Sequence, residues 1–262
     1  FYWYFYQDGT IEFEAKLTGI ISTGAVAPGA SPKYGQTVAP GLYGPNHQHF
    51  FCARIDPAVD GPANTVIECD SVAEPPGAEN PHGNAWTVVH SPLETETDAR
   101  RSLDIGRHRF WKIANERVVT EIGEHPAYVL HPGDNAVPLS SDLSPALGRA
   151  GFAKHHLWVT AYDAEERYAA GDYPMQGRAG EGLPRYANNA RSVRDTDVVV
   201  WYTFGAHHVV RPEDWPVMPA SHIGFKLRPH GFFDGNPALD VPPSAAECAA
   251  DAVQEVGDRG CH

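Results

Sequence analysis

The residues best suited to chemistry are two histidines, His47 and His49, which stand between Pro45-Asn46 and the apolar pair Phe50-Phe51. In a β-strand the side chains alternate between faces, so both imidazoles project from one face while Gln48 points away. Imidazoles at that spacing can hold copper, zinc or iron. The alternative is that the two histidines only share a half-buried strand face. A metal site needs a third ligand from elsewhere in the chain.

A second histidine pair, His207-His208, follows the most apolar stretch of the chain, which we predict to be a central strand from Asp197 to Gly205. Together the two pairs offer three imidazoles. Three nitrogen ligands with open positions for water are typical of a catalytic rather than a closed structural metal site. Composition alone leaves the metal open, and 14 histidines make chance pairs easy.

The elements that must position these histidines are predicted to be strands. After a turn at Gln7-Asp8-Gly9, the apolar residues of segment 10–17 alternate, which places Ile11, Phe13, Ala15 and Leu17 on one face. Further strands are predicted at 1–6, 46–56, 64–72, 85–93, 107–113, 127–131 and 157–162. Segments 24–45, 74–84 and 171–195 are predicted loops, and 143–154 is the best helix candidate, with Ser141-Asp142 as its cap. The pattern predicts an all-β fold with few short helices.

The composition fits one large domain. The chain has 262 residues, of which 42% are hydrophobic. Its 20 basic and 33 acidic residues give a net charge of −13, which disfavours nucleic acid and anionic membranes and favours cationic partners. No apolar run approaches the roughly 18 residues of a membrane span. We therefore expect a soluble chain with neither a membrane nor a nucleic-acid partner.

Four cysteines, Cys52, Cys69, Cys248 and Cys261, match no close Cys-x-x-Cys pattern. Cys52 and Cys69 are equidistant from the turn-like segment 59–62, so a simple hairpin would place them opposite each other. A disulfide or a packed thiol pair would fit there. The sequence leaves the pairing of all four cysteines open.

The first six residues are a strand-like aromatic run, Phe1 to Tyr6, without an initiator Met or a polar lead-in. We therefore expect the chain to be the later part of a longer polypeptide, either nicked or described as a separate chain. Any catalytic group that precedes Phe1 lies outside this sequence.

Several ordered strings resemble the copper-containing primary-amine oxidases. They are Phe1-Tyr2-Trp3-Tyr4, Asp8-Gly9-Thr10-Ile11-Glu12, Asn46-His47-Gln48-His49, Trp201-Tyr202-Thr203-Phe204-Gly205 and Glu213-Asp214-Trp215-Pro216-Val217-Met218-Pro219. The resemblance covers residues 1–243, which would belong to the catalytic β-sandwich domain, and leaves 244–262 as a C-terminal tail. It implies a homodimer that binds Cu(II) through His47, His49 and His208. His208, rather than His207, takes the position before the apolar Val209.

The resemblance also implies an activity, the oxidation of primary amines by dioxygen to aldehyde, ammonia and hydrogen peroxide. The family uses copper and topaquinone, a quinone made from a tyrosine in an Asn-Tyr-Asp/Glu-Tyr motif. We expect that motif and the catalytic aspartate to precede Phe1, so no catalytic residue is assigned in this chain. The chain would supply the copper site and depend on the preceding part of the enzyme.

Two further features follow from the resemblance. Met218 resembles a methionine near the copper, with core packing as the alternative. A second, calcium-like cation is implied with oxygen ligands from Asp56, Pro57, Asp197 and Val198. Ala58 stands where some members have another aspartate, so one ligand is missing. The alternative is that both aspartates are turn or cap residues.

Two other functions remain open at this point: a three-histidine zinc hydrolase, and a copper-binding structural sandwich without the quinone. The preferred amine is not given, because the resemblance places most of the substrate channel in preceding residues. The compartment also stays open between cytoplasmic and secreted, for a soluble enzyme of bacterial type.

Overall fold

The computed structural model describes residues 1–240 and Pro242. Within this part the strands are β1 (Tyr2–Phe5), β2 (Ile11–Gly19), β3 (Gly24–Ala25), β4 (Gly35–Ala39), β5 (Leu42–Pro45), β6 (His47–Ile55), β7 (Thr65–Ala73), β8 (Trp86–Pro92), β9 (Arg100–Arg101), β10 (Phe110–Ala114), β11 (Ala127–Pro132), β12 (Leu157–Ala161), β13 (Val198–His208) and β14 (Met218–His230). The α-helices are α1 (Pro145–Arg149) and α2 (Leu183–Tyr186), and 3-10 turns cover Ile105–Arg107, Gly151–Lys154, Pro212–Asp214 and Pro237–Asp240.

Two sheets pack face to face around the main core. The larger has the order β1-β2-β14-β11-β10-β7-β8, and the smaller has the order β6-β13-β12-β9. Aromatic rings join them: Phe13 lies 5.6 Å from Phe204 and Tyr202 lies 5.2 Å from Phe225, measured between ring centroids. Buried aromatic area of this kind dominates the energy of a core. The predicted all-β sandwich is confirmed.

The strand predictions near the site are confirmed. β1 and β2 form the predicted hairpin, in which Trp3 faces Phe13, and the turn uses Gly9 at a φ of 81°. The alternating face of β2 packs on the core, with Ala15 fully buried. β13 lies between β6 and β12, as predicted for the central strand, but it continues past Gly205 through His208.

Three local predictions are wrong. Segment 24–45 is not one long loop but contains the three-stranded sheet β3-β5-β4, where Gly35 allows its backbone to approach that of Gly44 closely. Segment 143–154 is not one helix, because the chain leaves the helical conformation at Ala150 and continues as a 3-10 turn. Its N-cap position is Ser144, without a side-chain hydrogen bond, instead of Ser141-Asp142. The loop 171–195 is interrupted by α2.

The simple hairpin that would place Cys52 opposite Cys69 does not form. β6 and β7 do not form a hairpin, because β6 pairs with β13 while β7 pairs with β8 and β10 in the other sheet. Both cysteines are free thiols. Burial raises the pKa of Cys52 to about 12 and that of Cys69 to about 11. Cys248, Cys261 and the tail 244–262 lie outside the described residues.

The helices of the described part are all too short or too polar to cross a membrane.

Candidate metal centre

Strand pairing brings the two histidine segments together. β6 runs antiparallel to β13, with His47 opposite His208 and His49 opposite Ala206. The ring centroid of His47 is 4.6 Å from that of His208 and 4.9 Å from that of His49. The three predicted copper ligands therefore lie at one end of the smaller sheet, although His47 and His208 are 161 residues apart in sequence.

Two of these rings face each other through nitrogen atoms. Nε2 of His47 lies 3.2 Å from Nδ1 of His208. The other nitrogen of each ring meets an acceptor: Nδ1 of His47 lies 2.9 Å from the Pro45 carbonyl oxygen, and Nε2 of His208 lies 2.8 Å from Oδ2 of Asp214. Because an oxygen that only accepts must receive a proton, these contacts assign the tautomers. When both rings are neutral, each directs a lone pair at the other.

This arrangement fits a metal ion. Between two neutral rings the opposed lone pairs repel each other, and either a proton or a metal ion between the two nitrogens removes that repulsion. A separation of 3.2 Å between the nitrogens is what one ion with metal–nitrogen distances of roughly 2.0–2.1 Å requires at an angle of about 100°. The donor set is imidazole nitrogen, which suits Cu(II) as well as zinc.

His49 is the third imidazole, and it lies beside the pair rather than within it. Among residues 1–240 and 242, no three His, Cys, Asp or Glu side chains form a complete metal-binding group as they stand. Burial lowers the pKa of His49, and the neighbouring His47 and His208 lower it further. A lower pKa favours the neutral form of His49, which is the form that can bind a metal.

His207 and Gln48 lie on the opposite face of the strand pair. They are partners in the β6–β13 register, and Nε2 of Gln48 donates to Nδ1 of His207 at 2.7 Å. The same amide also binds the backbone of segment 137–139. The structure therefore places His208, and not His207, beside His47.

Asp214 is a site residue that the sequence analysis missed. It ends the 3-10 turn after β13, is 2% exposed, and accepts hydrogen bonds from His208 and from the Arg211 amide, each at 2.8 Å. Burial opposes ionisation, but these hydrogen bonds outweigh it and lower the pKa of the Asp214 carboxyl. Asp214 lies beyond the end of β13, in the 3-10 turn Pro212–Asp214, so strand periodicity does not relate it to His208. Only its position within the string Glu213 to Pro219 could have drawn attention to it.

Met218 lines a cavity of about 470 Å³ together with His49, His208 and Asp214. It begins β14, and its carbonyl oxygen accepts a hydrogen bond from the Thr18 hydroxyl at 2.7 Å. Met218 therefore shares a cavity with His49 and His208, and its place near the copper stays a prediction.

The residues expected at a second cation site lie at the other end of the same strand pair. The β6–β13 register ends at Ile55 and Val200; Asp56-Pro57 follows Ile55 directly, and Val199 separates Asp197-Val198 from Val200. Asp56 and Asp197 are exposed. Asp56 contacts Arg54 at 3.3 Å, and the Asp197 carbonyl oxygen accepts a hydrogen bond from Tyr162 at 2.9 Å. The fold brings the two aspartate segments to one place.

Comparison with known proteins gives consistent matches. The family model described as copper amine oxidase, enzyme domain, matches residues 1–247. The chain is 50% identical over 251 residues to the peroxisomal copper-containing diamine oxidase 1 of Nicotiana tabacum, covering 94% of this chain and 32% of that protein. It is 48% identical over 256 residues to histamine oxidase of Arthrobacter globiformis, covering 97% of this chain and 37% of that protein.

A solved structure agrees with these matches. The crystal structure of a copper-containing benzylamine oxidase from Hansenula polymorpha matches with a TM-score of 0.87 and 35% identity, covering 92% of this chain and 38% of that chain. The chain therefore spans only about a third of the length of the relatives it matches. The match to the enzyme-domain model extends over nearly the whole sequence. This chain belongs to the copper amine oxidase family and represents part of its enzyme domain.

Proposed function

We propose that the polypeptide containing this chain oxidises primary amines with dioxygen, and that this chain supplies its copper site through His47, His49 and His208. The observation that supports the site is the 3.2 Å approach of Nε2 of His47 to Nδ1 of His208, while the other nitrogen of each ring contacts an oxygen acceptor. Family membership supports copper over zinc as the ion. The products would be aldehyde, ammonia and hydrogen peroxide.

The chemistry divides between the copper and residues of the chain. Copper bound here would supply the redox chemistry by which dioxygen reoxidises a topaquinone cofactor. The Pro45 carbonyl orients His47, and Asp214 orients His208. The cavity of about 470 Å³ beside Met218 leaves room for water or another small molecule near the three imidazoles. We expect the cofactor tyrosine and the catalytic aspartate in the segment that precedes Phe1.

The substrate class follows from relatives and charge. The relatives' names include diamine, histamine and benzylamine oxidases, and a net charge of −13 favours a cationic amine. We propose a primary amine, selected mainly by residues outside this chain.

We further propose that the preceding part of the enzyme packs on β1, and that the whole enzyme is a homodimer as the family resemblance implies. β1 is an edge strand of the larger sheet, and Phe1 and Phe5 are 74% and 76% exposed. An edge strand with exposed aromatic side chains is typical of a surface that pairs with more chain.

A second cation, calcium-like, is proposed at Asp56, Pro57, Asp197 and Val198. Asp56 and Asp197 are exposed carboxylates at the same end of the β6–β13 strand pair, and they would supply the oxygen atoms that hard cations prefer. This site would serve stability rather than amine oxidation.

The experiment that tests the copper site compares single alanine variants. We expect His47→Ala, His49→Ala and His208→Ala each to lose tight copper binding, measured by metal analysis after dialysis. His207→Ala is the matched control, because His207 neighbours His208 but faces Gln48. Stoichiometric copper in the His208 variant would contradict the assignment. Activity that needs no dioxygen would instead support the zinc hydrolase.

A further inference from the structure

We propose that Asp214 is a positioning residue of the copper site: its buried carboxylate accepts the Nε2 hydrogen of His208 and thereby directs Nδ1 of that ring at the metal. This inference rests on the proposed copper site. In this proposal Asp214 is not itself a copper ligand and acts through His208.

The argument begins with the choice that a neutral histidine has. Either ring nitrogen can hold the proton, and only the other nitrogen can bind a metal. Beside Asp214, Nε2 of His208 lies 2.8 Å from a carboxylate oxygen, which can only accept. Nε2 therefore keeps the proton, and Nδ1 is left as the donor that faces Nε2 of His47 at 3.2 Å. If Asp214 were absent, the ring could adopt the other tautomer and turn away.

The carboxylate is itself held in place. Its Oδ2 also accepts the Arg211 amide at 2.8 Å, and its Oδ1 lies 3.3 Å from Nη2 of Arg211. The backbone amide of Asp214 donates to the Arg211 carbonyl oxygen at 3.1 Å, which closes the turn. The Asp214 side chain is 3% exposed, so water competes little for these contacts. A buried acceptor fixed at several points can orient a ring that is more exposed than itself.

His208 and His47 differ in the kind of group that orients each ring. The partner of His47 is the backbone carbonyl of Pro45, which no substitution removes. The partner of His208 is a charged side chain, which strengthens the donor character of the ring and can be changed without altering the main chain. A substitution at Asp214 therefore tests the positioning of His208 without removing His208 itself.

The test uses Asp214→Ala and Asp214→Asn in the complete polypeptide that carries this chain, stripped of metal and reloaded with Cu(II) alone. Asn keeps the shape and one acceptor oxygen, so it remains informative if the alanine variant fails to fold. The matched controls are Asp70→Ala and Asp70→Asn, because Asp70 is also a largely buried carboxylate held by an arginine, Arg109, at 2.7 Å. Copper affinity is measured by chelator competition, and the ligand field by electron paramagnetic resonance at full loading.

We expect copper affinity to fall about 10- to 100-fold in Asp214→Ala and less in Asp214→Asn. The Cu(II) spectrum of the alanine variant should change, because one imidazole is lost or binds through another nitrogen. The Asp70 variants should match the wild type in both measurements. Wild-type affinity in the Asp214 variants overturns the inference, and so does weaker binding with an unchanged spectrum, which indicates a merely structural role.

A second comparison tests which nitrogen of each ring binds. The amide of Asn reaches the position of Nδ1, and that of Gln reaches the position of Nε2, counted in bonds from Cβ. We expect His208→Asn to retain more copper affinity than His208→Gln, and the order to reverse at His47. The same order at both positions contradicts the tautomers assigned above. Failure of the wild-type protein to bind copper would refute the proposed function instead, so the two failures are distinguishable.

Discussion

Adding a methyl group at Gly205 tests whether the β6–β13 strand pair sets the spacing of the histidines. Gly205 is buried and lies opposite Phe50 in the register, next to the rung that pairs Ala206 with His49. A Cβ at Gly205 would lie 2.7 Å from Cδ1 of Phe50, and closer still to the carbonyl oxygen of His49. The ring can rotate, but the carbonyl belongs to the backbone. Gly205→Ala therefore forces the two strands apart.

The size of the effect follows from ordinary contact distances. Real Cβ atoms essentially never come within 3.0 Å of a neighbour, so relieving the clash needs a shift of roughly 0.5 to 1 Å. Overpacking of this kind costs about 1–3 kcal/mol of the free energy of unfolding. A binding site tolerates misplacement of only about 0.5 Å. We therefore expect Gly205→Ala to lower copper affinity roughly 10- to 100-fold, as disturbed supporting groups do.

The matched control is Gly133→Ala. A Cβ at Gly133 would clash with the carbonyl oxygen of Gly224, also part of the backbone, but beside the larger sheet and away from the histidines. Urea unfolding of the metal-free proteins should show both variants destabilised, whereas chelator competition should show weaker copper binding only in Gly205→Ala. If Gly205→Ala is destabilised but binds copper as tightly as the control, the strand pair does not set the site.

Four further outcomes are expected. In a variant with Cys248→Ser and Cys261→Ser, Cys52 and Cys69 should not react with a thiol reagent at pH 8 until the protein is denatured. The reason is that burial raises the pKa of Cys52 to about 12 and that of Cys69 to about 11. Rapid labelling of the folded protein would contradict this. The hydrogen bond from Arg109 lowers the pKa of the Asp70 carboxyl in the folded protein. The ionised carboxyl therefore stabilises the fold above its unfolded pKa, and this stabilisation is lost as pH falls through its folded pKa. The loss of unfolding free energy caused by Asp70→Asn, measured in urea, should therefore shrink between pH 7 and pH 3. The chain of residues 1–262 alone, loaded with copper under air, should produce no hydrogen peroxide from a panel of amines, and robust turnover by it would show that the cofactor tyrosine is misplaced. Crystals grown with calcium should show anomalous scattering at Asp56 and Asp197, and its absence would favour turn residues there.

The parts of the fold that could be predicted are those that depend on the local periodicity of apolar and polar residues. The alternating face of β2 and the apolar run of β13 each specify a strand and its buried side without reference to the rest of the chain. The His-x-His spacing likewise specifies that His47 and His49 share a face. The pairing of β6 with β13 was not visible locally, and the resemblance to a family implied only that His47, His49 and His208 bind the same ion.

The parts that could not be predicted depend on which elements become neighbours. Cys52 and Cys69 are equidistant from a turn, but β6 and β7 belong to different sheets. No local sequence pattern indicates that the chain passes from one sheet to the other at this turn. Asp214 could not be predicted for the same reason, because its contact with His208 forms only when the turn after β13 folds back on that ring. The small sheet within 24–45 uses glycines for close backbone approach, which in sequence is indistinguishable from a loop.

The strand pair also determines how the two proposed ions can affect each other. The rungs that pair His47 with His208 and Ile55 with Val200 are eight residues apart on each strand, which corresponds to roughly 26 Å. That distance exceeds the Debye length of about 8–10 Å at physiological salt, so direct electrostatic coupling is screened. Removing the second cation should therefore lower the free energy of unfolding while copper affinity stays unchanged. Copper affinity that falls on calcium removal would mean that the strand pair itself moves, and Gly205→Ala would then show the same loss.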